Sequence, residues 1–508
     1  MTVQFGPRDD LKFPLKSMGM IFYEKLSKYD HNKMFLTDSG TNTEISYEQF
    51  LKLSFNLANS LKKLGIKKGD VITIISENSW KYLVTIIAGF YLGVKINLLN
   101  HDYKIGEFQH FLSICQPILL FCTSKNLEKI LTLKEEICPH IKIISYDVET
   151  SEVSTSIDDF LETNNSNFDV SDIVDIDPKV DVAVILTSSG TTGLPKVVLL
   201  THANIRASVL YICHPDYADT TEADSIIAIL PFFHVFERFV PDRFLQLIQQ
   251  HKVTKLFSVP SLLHFLIKHP LVDKYDISSI RDVICGGAAL TEEIQKQLFK
   301  RMNIVCFKQC YGMTEIGGAA TITPKNTKKF NCVGKVTVGH QIKICDPKTG
   351  ETLKENMLGE LRIKGNGVMK GYLNNVEENA KIFDEDGFVK SGDLGYFDEQ
   401  GLFYVCDRLK DVIKYKCYQV SPTELENILI QHPAVEDAAV VGKPDERDGE
   451  VPTAFVVKRQ DVTEEELIYY VKARISVQKQ LRGGVRFVQA IPKSVSGKIL
   501  RKNLIQLL

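Results

Sequence analysis

The sequence has little that would mark it for a membrane, a polyanion or an oxidising compartment. Its most apolar stretch, Val84–Asn100, is broken by Gly89, Gly93 and Lys95, short of the roughly 18 unbroken apolar residues a membrane span requires. Charge of one sign is not in excess: 61 Lys and Arg face 63 Asp and Glu, a net charge of −2, which removes the usual support for nucleic-acid binding. Eleven cysteines are scattered without a CxxC pair and read as small buried side chains in a reducing cell interior. The 18 Pro and 31 Gly are dispersed, which excludes collagen-like and low-complexity classes. No secretory signal is expected, since Met1–Asp10 carries no apolar segment. Gln506-Leu507-Leu508 differs from the Ser-Lys-Leu peroxisomal address, so the expected place is cytoplasmic, or peroxisomal by some other route. What remains is a globular chain of 508 residues, 44% hydrophobic, too long for one compact unit.

The first third alternates helix and strand patterns. Ser46 and Gln49 have capping-box spacing, with Ile45 and Phe50 placed as a hydrophobic staple. Phe50, Leu53, Leu57, Leu61 and Leu64 follow a helical period that Gly65 stops. Asp70–Ser76 reads as a buried strand, Trp80–Leu92 as a helix and Val94–Leu99 as another strand. This order predicts βαβ units and a largely parallel sheet. Ser151–Asp177 is polar and acidic and reads as a surface excursion. Alternation continues to Val405, where Asp407–Asp411 makes a highly charged break. About a hundred residues follow, enough for a small second domain. The expected fold is α/β: a large domain of doubly wound α/β sheets over 1–407 and a small mobile α+β domain over 408–508.

The strongest local signal is Thr187-Ser-Ser-Gly-Thr-Thr-Gly-Leu-Pro-Lys196, directly after the apolar run Asp181–Leu186. Gly190 and Gly193 let the backbone approach an anion, Ser188, Ser189, Thr191 and Thr192 supply hydroxyls, and Lys196 supplies a cation. Leu194 and Pro195 separate Gly193 from Lys196, so this is not a Walker loop. Alone, such a cluster reads as an ordinary turn. It is followed in order by Pro231-Phe-Phe-His234, Gly286-Gly-Ala-Ala289, Tyr311-Gly-Met-Thr-Glu315, Ser391-Gly-Asp393, Asp407-Arg-Leu-Lys-Asp411 and Pro492-Lys-Ser-Val-Ser-Gly-Lys498.

This series closely resembles the adenylate-forming superfamily, in particular its branch of coumarate–CoA ligases, insect acyl-CoA synthetases and beetle luciferases. The resemblance implies a cycle of two half-reactions. A carboxylate attacks the α-phosphate of ATP to give an acyl-adenylate and pyrophosphate; coenzyme A then displaces AMP. It implies that the Ser188–Lys196 loop holds phosphates, that Tyr311 lies against adenine beside Gln309 and Gly312, and that Gly287 and Ala288 run along the nucleotide. Thr314 would donate to the α-phosphate and Glu315 would hold Mg²⁺, a hard ion that prefers oxygen. Asp393 would accept from the ribose hydroxyls, with Arg408 and Lys410 nearby. His234 would gate the acyl pocket. Lys498 would bridge carboxylate and phosphate in the first step. Lys414 would serve the second, after the small domain rotates about a hinge at 408–411. Lys416 and Cys417 would border the path of coenzyme A.

Each of these residues also has a plain structural reading: a core tyrosine, a solvated carboxylate, a capping aspartate, a surface lysine. The order of the motifs is what sets those readings aside. Two departures stand out. Cys417 occupies a position that is normally glycine in this family. The stretch after Phe236 is also short, by roughly twenty residues, about what a crossover consumes. That shortening predicts an uncovered sheet edge and weaker activity. Two alternatives follow: a luciferase-like monooxygenase, against which stands the absence of an arginine near Tyr211, and a ligand binder without turnover.

Overall fold

A computed structural model describes residues 3–7, 14–162, 168–188, 195–215, 217, 220–228, 239–288, 290, 292–325, 327, 329–416, 418–493 and 498–508. The expected αβ alternation builds an eight-stranded sheet in the order Gly371–Tyr372, Lys196–Thr201, Val182–Ser188, Lys95–Leu99, Val71–Ile75, Leu119–Cys122, Lys142–Ser145, Thr155–Ser156. From Val182–Ser188 onward in that order every pairing is parallel. Parallel strands buried on both faces need apolar residues throughout, and Ile72, Ile74, Ile75, Ile96, Leu99, Leu119 and Phe121 supply them.

The helix read from the capping box runs Tyr47–Lys63: Ser46 Oγ accepts from Gln49 N at 3.2 Å and Gln49 Oε1 from Ser46 N at 2.9 Å. Ile45 and Phe50 both enter the core on the face it covers. The next helix, Trp80–Leu92, ends at Gly93 in the left-handed region, φ 65°. The surface excursion expected over Ser151–Asp177 needs correction. Thr155–Ser156 adds an edge strand, and Ile157, Leu161, Phe168, Ile173 and Ile176 are buried. Residues 163–167 lie outside the described residues.

A second sheet holds Lys255–Ser258, Asp282–Cys285 and Cys306–Met313 in parallel, then Gly318–Ile322 and Lys335–Val336 antiparallel. The uncovered sheet edge expected from the shortened stretch needs correction: in the edge strand Lys255, Leu256 and Ser258 are buried. Ile226 forms an isolated parallel bridge to Lys255, and Ser225 O accepts from Thr254 N and Lys255 N at 2.9 and 3.2 Å. Of the shortened stretch, 237–243, residues 237–238 lie outside the described residues, while Phe239 packs against the core of the second sheet and Pro241–His251 forms a helix. A third, antiparallel sheet runs Gln4–Phe5, His340–Cys345, Gly359–Gly365, Val389–Phe397, Phe403–Arg408. The small domain has its own sheet of Tyr418–Val420, Ile413–Tyr415, Gly449–Lys458, Val435–Asp445 and Val485–Phe487, with a separate core. The nine described cysteines are all free, and each is buried or half-buried.

The second sheet carries a buried chain of charges. Lys308 is fully buried, with Nζ 3.1 Å from both oxygens of Asp282. Lys255 lies 3.5 Å from Asp282 and 3.4 Å from Asp224, which also meets Arg281 at 2.8 Å. Removing one member of a buried pair strands the other charge, at about 3–5 kcal/mol. Asp282→Ala should therefore lower stability by about 3 kcal/mol or more in urea unfolding. Lys308→Met should cost less, because Asp282 keeps Lys255.

Candidate nucleotide and acyl-transfer site

The site is assembled where the second sheet, the third sheet and the start of the small domain meet. Asp393 is its centre, only 5% exposed. It stands in register with Arg408 across two strands of the third sheet. Arg408 Nε lies 3.1 Å from Asp393 Oδ1, and the Tyr311 hydroxyl donates to Oδ2 at 2.7 Å. Burial pushes the Asp393 carboxyl up, opposed by Arg408 and by the Tyr311 hydroxyl. Burial and the Asp393 charge together push the Tyr311 hydroxyl well above its ordinary value, so it stays a donor. Each carboxylate oxygen accepts more than one hydrogen bond, so a pair of ribose hydroxyls can still be received.

Glu315 is 6% exposed, which removes the reading of a solvated carboxylate. Its Oε1 accepts from the Tyr372 hydroxyl at 2.9 Å, and its backbone carbonyl accepts from Met369 N at 2.9 Å. The turn after it is fixed by Ser208, whose hydroxyl donates to Gly317 O. Gly312 has to be glycine: a Cβ there would sit 1.9 Å from Gly318 O. Gly287 has φ +87°, a conformation that favours glycine and lets the backbone turn at the end of Asp282–Cys285. Ala288 and Thr314 lie in the turns that follow Asp282–Cys285 and Cys306–Met313.

Ser188, the end of its strand, is buried. Its neighbour Thr187 shares a hydrogen bond of 2.9 Å with Tyr103. Lys196 pairs with Glu378, and its ammonium lies 4.9 Å from the centre of the Tyr372 ring. Ser189, Gly190, Thr191, Thr192, Gly193, His234 and Cys417 lie outside the described residues.

Lys498 lies within electrostatic reach of Arg408, Asp393 and Glu315. The residue as a whole is exposed, yet its ammonium is crowded: burial, then the positive Arg408, lowers its pKa, opposed by the carboxylates of Asp393 and Glu315. Lys410 is lowered by burial as well, with Asp411 and Asp393 opposing and Arg408 adding to the shift. Lys414 is exposed, on the strand Ile413–Tyr415, and its backbone N–H donates to Glu450 at 2.8 Å. Lys416 adopts φ 53° at the tip of the hairpin and pairs with Asp448 at 3.4 Å. The structure thus brings together Tyr311, Glu315, Asp393, Arg408, Lys410 and Lys498.

The side chain of Gln309 is buried and accepts from Gln295 Nε2 at 3.0 Å, which ties it to the helix Glu292–Arg301. Two participants were missed from sequence: Tyr372, which holds Glu315, and Glu378, which holds Lys196. No local pattern marks either one.

The AMP-binding enzyme model matches residues 22–373, and the AMP-binding enzyme C-terminal domain matches residues 424–498. The chain belongs to the AMP-binding enzyme family. Within this adenylate-forming superfamily it is 38% identical over 533 residues to a luciferin 4-monooxygenase of Photuris pensylvanica, covering 100% of this chain and 98% of that one. It is 38% identical over 508 residues to a probable 4-coumarate–CoA ligase 1 of Dictyostelium discoideum, covering 93% and 92%. Among solved structures it is similar to ATP-bound MatB from Rhodopseudomonas palustris, with a TM-score of 0.86 and 26% identity over 96% of this chain and 98% of that one.

The crowding of Lys498 is directly measurable. Amine-reactive labelling across pH, read by mass spectrometry, should show Lys498 deprotonating below the ordinary lysine range. Arg408→Gln removes a like charge and should move that midpoint up. Asp393→Asn removes an opposite charge and should move it further down.

Proposed function

We propose that the chain activates a carboxylic acid with ATP, releasing pyrophosphate, and transfers the acyl group from the adenylate to coenzyme A. The observation that carries this reading is the convergence of Lys498 with Asp393, Arg408 and Glu315, while Lys414 lies exposed on the strand Ile413–Tyr415. In the first half-reaction a carboxylate oxygen attacks the α-phosphorus and the bond to pyrophosphate breaks. Negative charge grows on the phosphate, and a preorganised cation in a partly dehydrated cleft stabilises it most. Lys498 supplies that cation, Thr314 a hydroxyl donor, Tyr311 a flat wall for adenine and Asp393 the acceptors for ribose. Among the described residues no group of three or more His, Cys, Asp or Glu could hold a metal. The single carboxylate of Glu315 nevertheless fits Mg²⁺, which takes one or two carboxylates and fills its remaining positions from phosphate and water.

In the second half-reaction the small domain, 408–508, turns about 408–411. Lys414 then replaces Lys498, and Lys416 and Cys417 border the incoming thiol. Fatty and aromatic acids are the substrate classes in view, with His234 at the pocket entrance. Among the described residues no helix is long and apolar enough to cross a membrane.

A second reading is a luciferase-like monooxygenase, supported by the 38% identity to a luciferin 4-monooxygenase. Oxygen uptake or light once adenylate has formed would favour it. The alignment with that relative runs over 533 positions against a chain of 508 residues, which supports the absence of a segment here. We take that segment to be the crossover after Phe236, and its loss to weaken turnover.

The test is pyrophosphate release over a panel of fatty and aromatic acids. With the best acid, Lys498→Ala should slow adenylate formation by roughly a hundredfold or more, the loss of about 3 kcal/mol of transition-state stabilisation. A pre-formed acyl-adenylate should still pass to coenzyme A in that variant. Lys414→Ala should reverse the pattern. Equal losses in both half-reactions for both variants would remove the case for alternation.

A further inference from the structure

One carboxylate of the large domain reaches across the hinge. Asp407 belongs to the third sheet: it is the penultimate residue of Phe403–Arg408 and stands in register with Leu394. It is 9% exposed. Its Oδ1 accepts from Arg408 N at 3.2 Å. Its Oδ2 turns to the small domain, accepting from the Ser421 hydroxyl and from Thr423 N at 3.2 Å. Ser421 is the N-cap of the helix Pro422–Ile430, and its own Oγ accepts from Glu424 N at 3.1 Å. A negative charge at a helix N-terminus meets unsatisfied N–H groups and the positive end of the helix dipole. Residues 408–411 lie between this acceptor and its donors, so any rotation about them pulls the two apart.

The same helix is also tied to Arg501, three residues beyond Lys498. Glu426, on that helix and 5% exposed, pairs with Arg501 and accepts from Val440 N at 2.7 Å. Arg501 also donates to Val440 O at 3.0 Å and lies 3.7 Å from Asp411. Leu500 N donates to Pro492 O at 2.8 Å, and Lys493 bridges Ile499, the residue next to Lys498. The position of the helix N-terminus on Asp407 is thereby passed on to Lys498.

We propose that Asp407 is a positioning residue: it holds the small domain in the orientation that presents Lys498 to the nucleotide site, by capping Pro422–Ile430 across the hinge, and it releases that helix when the domain turns. The inference rests on the two-step reading above. It is tested on the full chain with Asp407→Ala and with Ser421→Ala, which leaves the buried carboxylate in place should the first variant fold poorly. Adenylate formation should fall about tenfold in Asp407→Ala and less in Ser421→Ala, as expected for charge-assisted hydrogen bonds. Thioester formation from a pre-formed adenylate should not slow. Trypsin cleavage after Arg408 or Lys410, followed by mass spectrometry without substrate, should accelerate severalfold. Equal slowing of both half-reactions with unchanged hinge cleavage would make Asp407 a merely structural residue and overturn the proposal, as would unchanged adenylation. If the parent chain released no pyrophosphate with any acid, the ligase reading would fall, while the cleavage rates would still decide whether the latch exists.

Discussion

Everything at the site depends on one buried anion. A carboxylate taken out of water costs several kcal/mol unless its oxygens are paired and hydrogen-bonded. Asp393 meets that demand with Arg408 from the neighbouring strand and Tyr311 from the second sheet. Satisfying Asp393 therefore fixes three things at once: the Tyr311 ring, the end of the strand Phe403–Arg408, and the contact between two sheets that share the core of Ala320, Val336, Ile344 and Phe403. It also sets the local electrostatics. Arg408 pulls the Asp393 carboxyl down against burial and adds to the lowering of Lys498, so one guanidinium acts on both groups.

The large domain is built to be stiff around that anion. Parallel strands with apolar side chains on both faces end at Ser188 and, in the second sheet, lead into Gly287, and such strand ends are where α/β sheets receive ligands. The small domain, with its own sheet and core, meets this body beside a short charged turn. Stiffness in one part and a narrow hinge in the other suit a cycle that needs one fixed nucleotide pocket and two different lysines.

Much of this was legible in the sequence because it was local. Ser46, Gln49, Gly65 and Gly93 announce helix ends through bonds and dihedrals within a few residues, and the apolar runs of the parallel strands need no partner to be recognised. The site motifs were legible for a different reason: their order along the chain carries information no single motif has. The missed features are long-range pairings. Tyr372 meets Glu315 across 57 residues and Glu378 meets Lys196 across 182, and neither tyrosine nor glutamate is unusual where it stands. Ser151–Asp177 misled by composition. Its apolar residues are few and irregularly spaced, so neither helical nor strand period appears, yet most of them are buried.

The pairing of Lys196 with Glu378 has a consequence for how the nucleotide is received. Lys196 already has an anionic partner, so on the proposed reading polyphosphate would displace a resident carboxylate instead of meeting a bare cation. Part of the favourable energy of phosphate contact would then be offset by a broken ion pair. Salt weakens both the pair and its replacement. On that reading the affinity for nucleotide would be less steep in ionic strength than a count of the basic groups suggests, with Glu378 as a built-in counterion that buffers the site against changes in the surrounding medium.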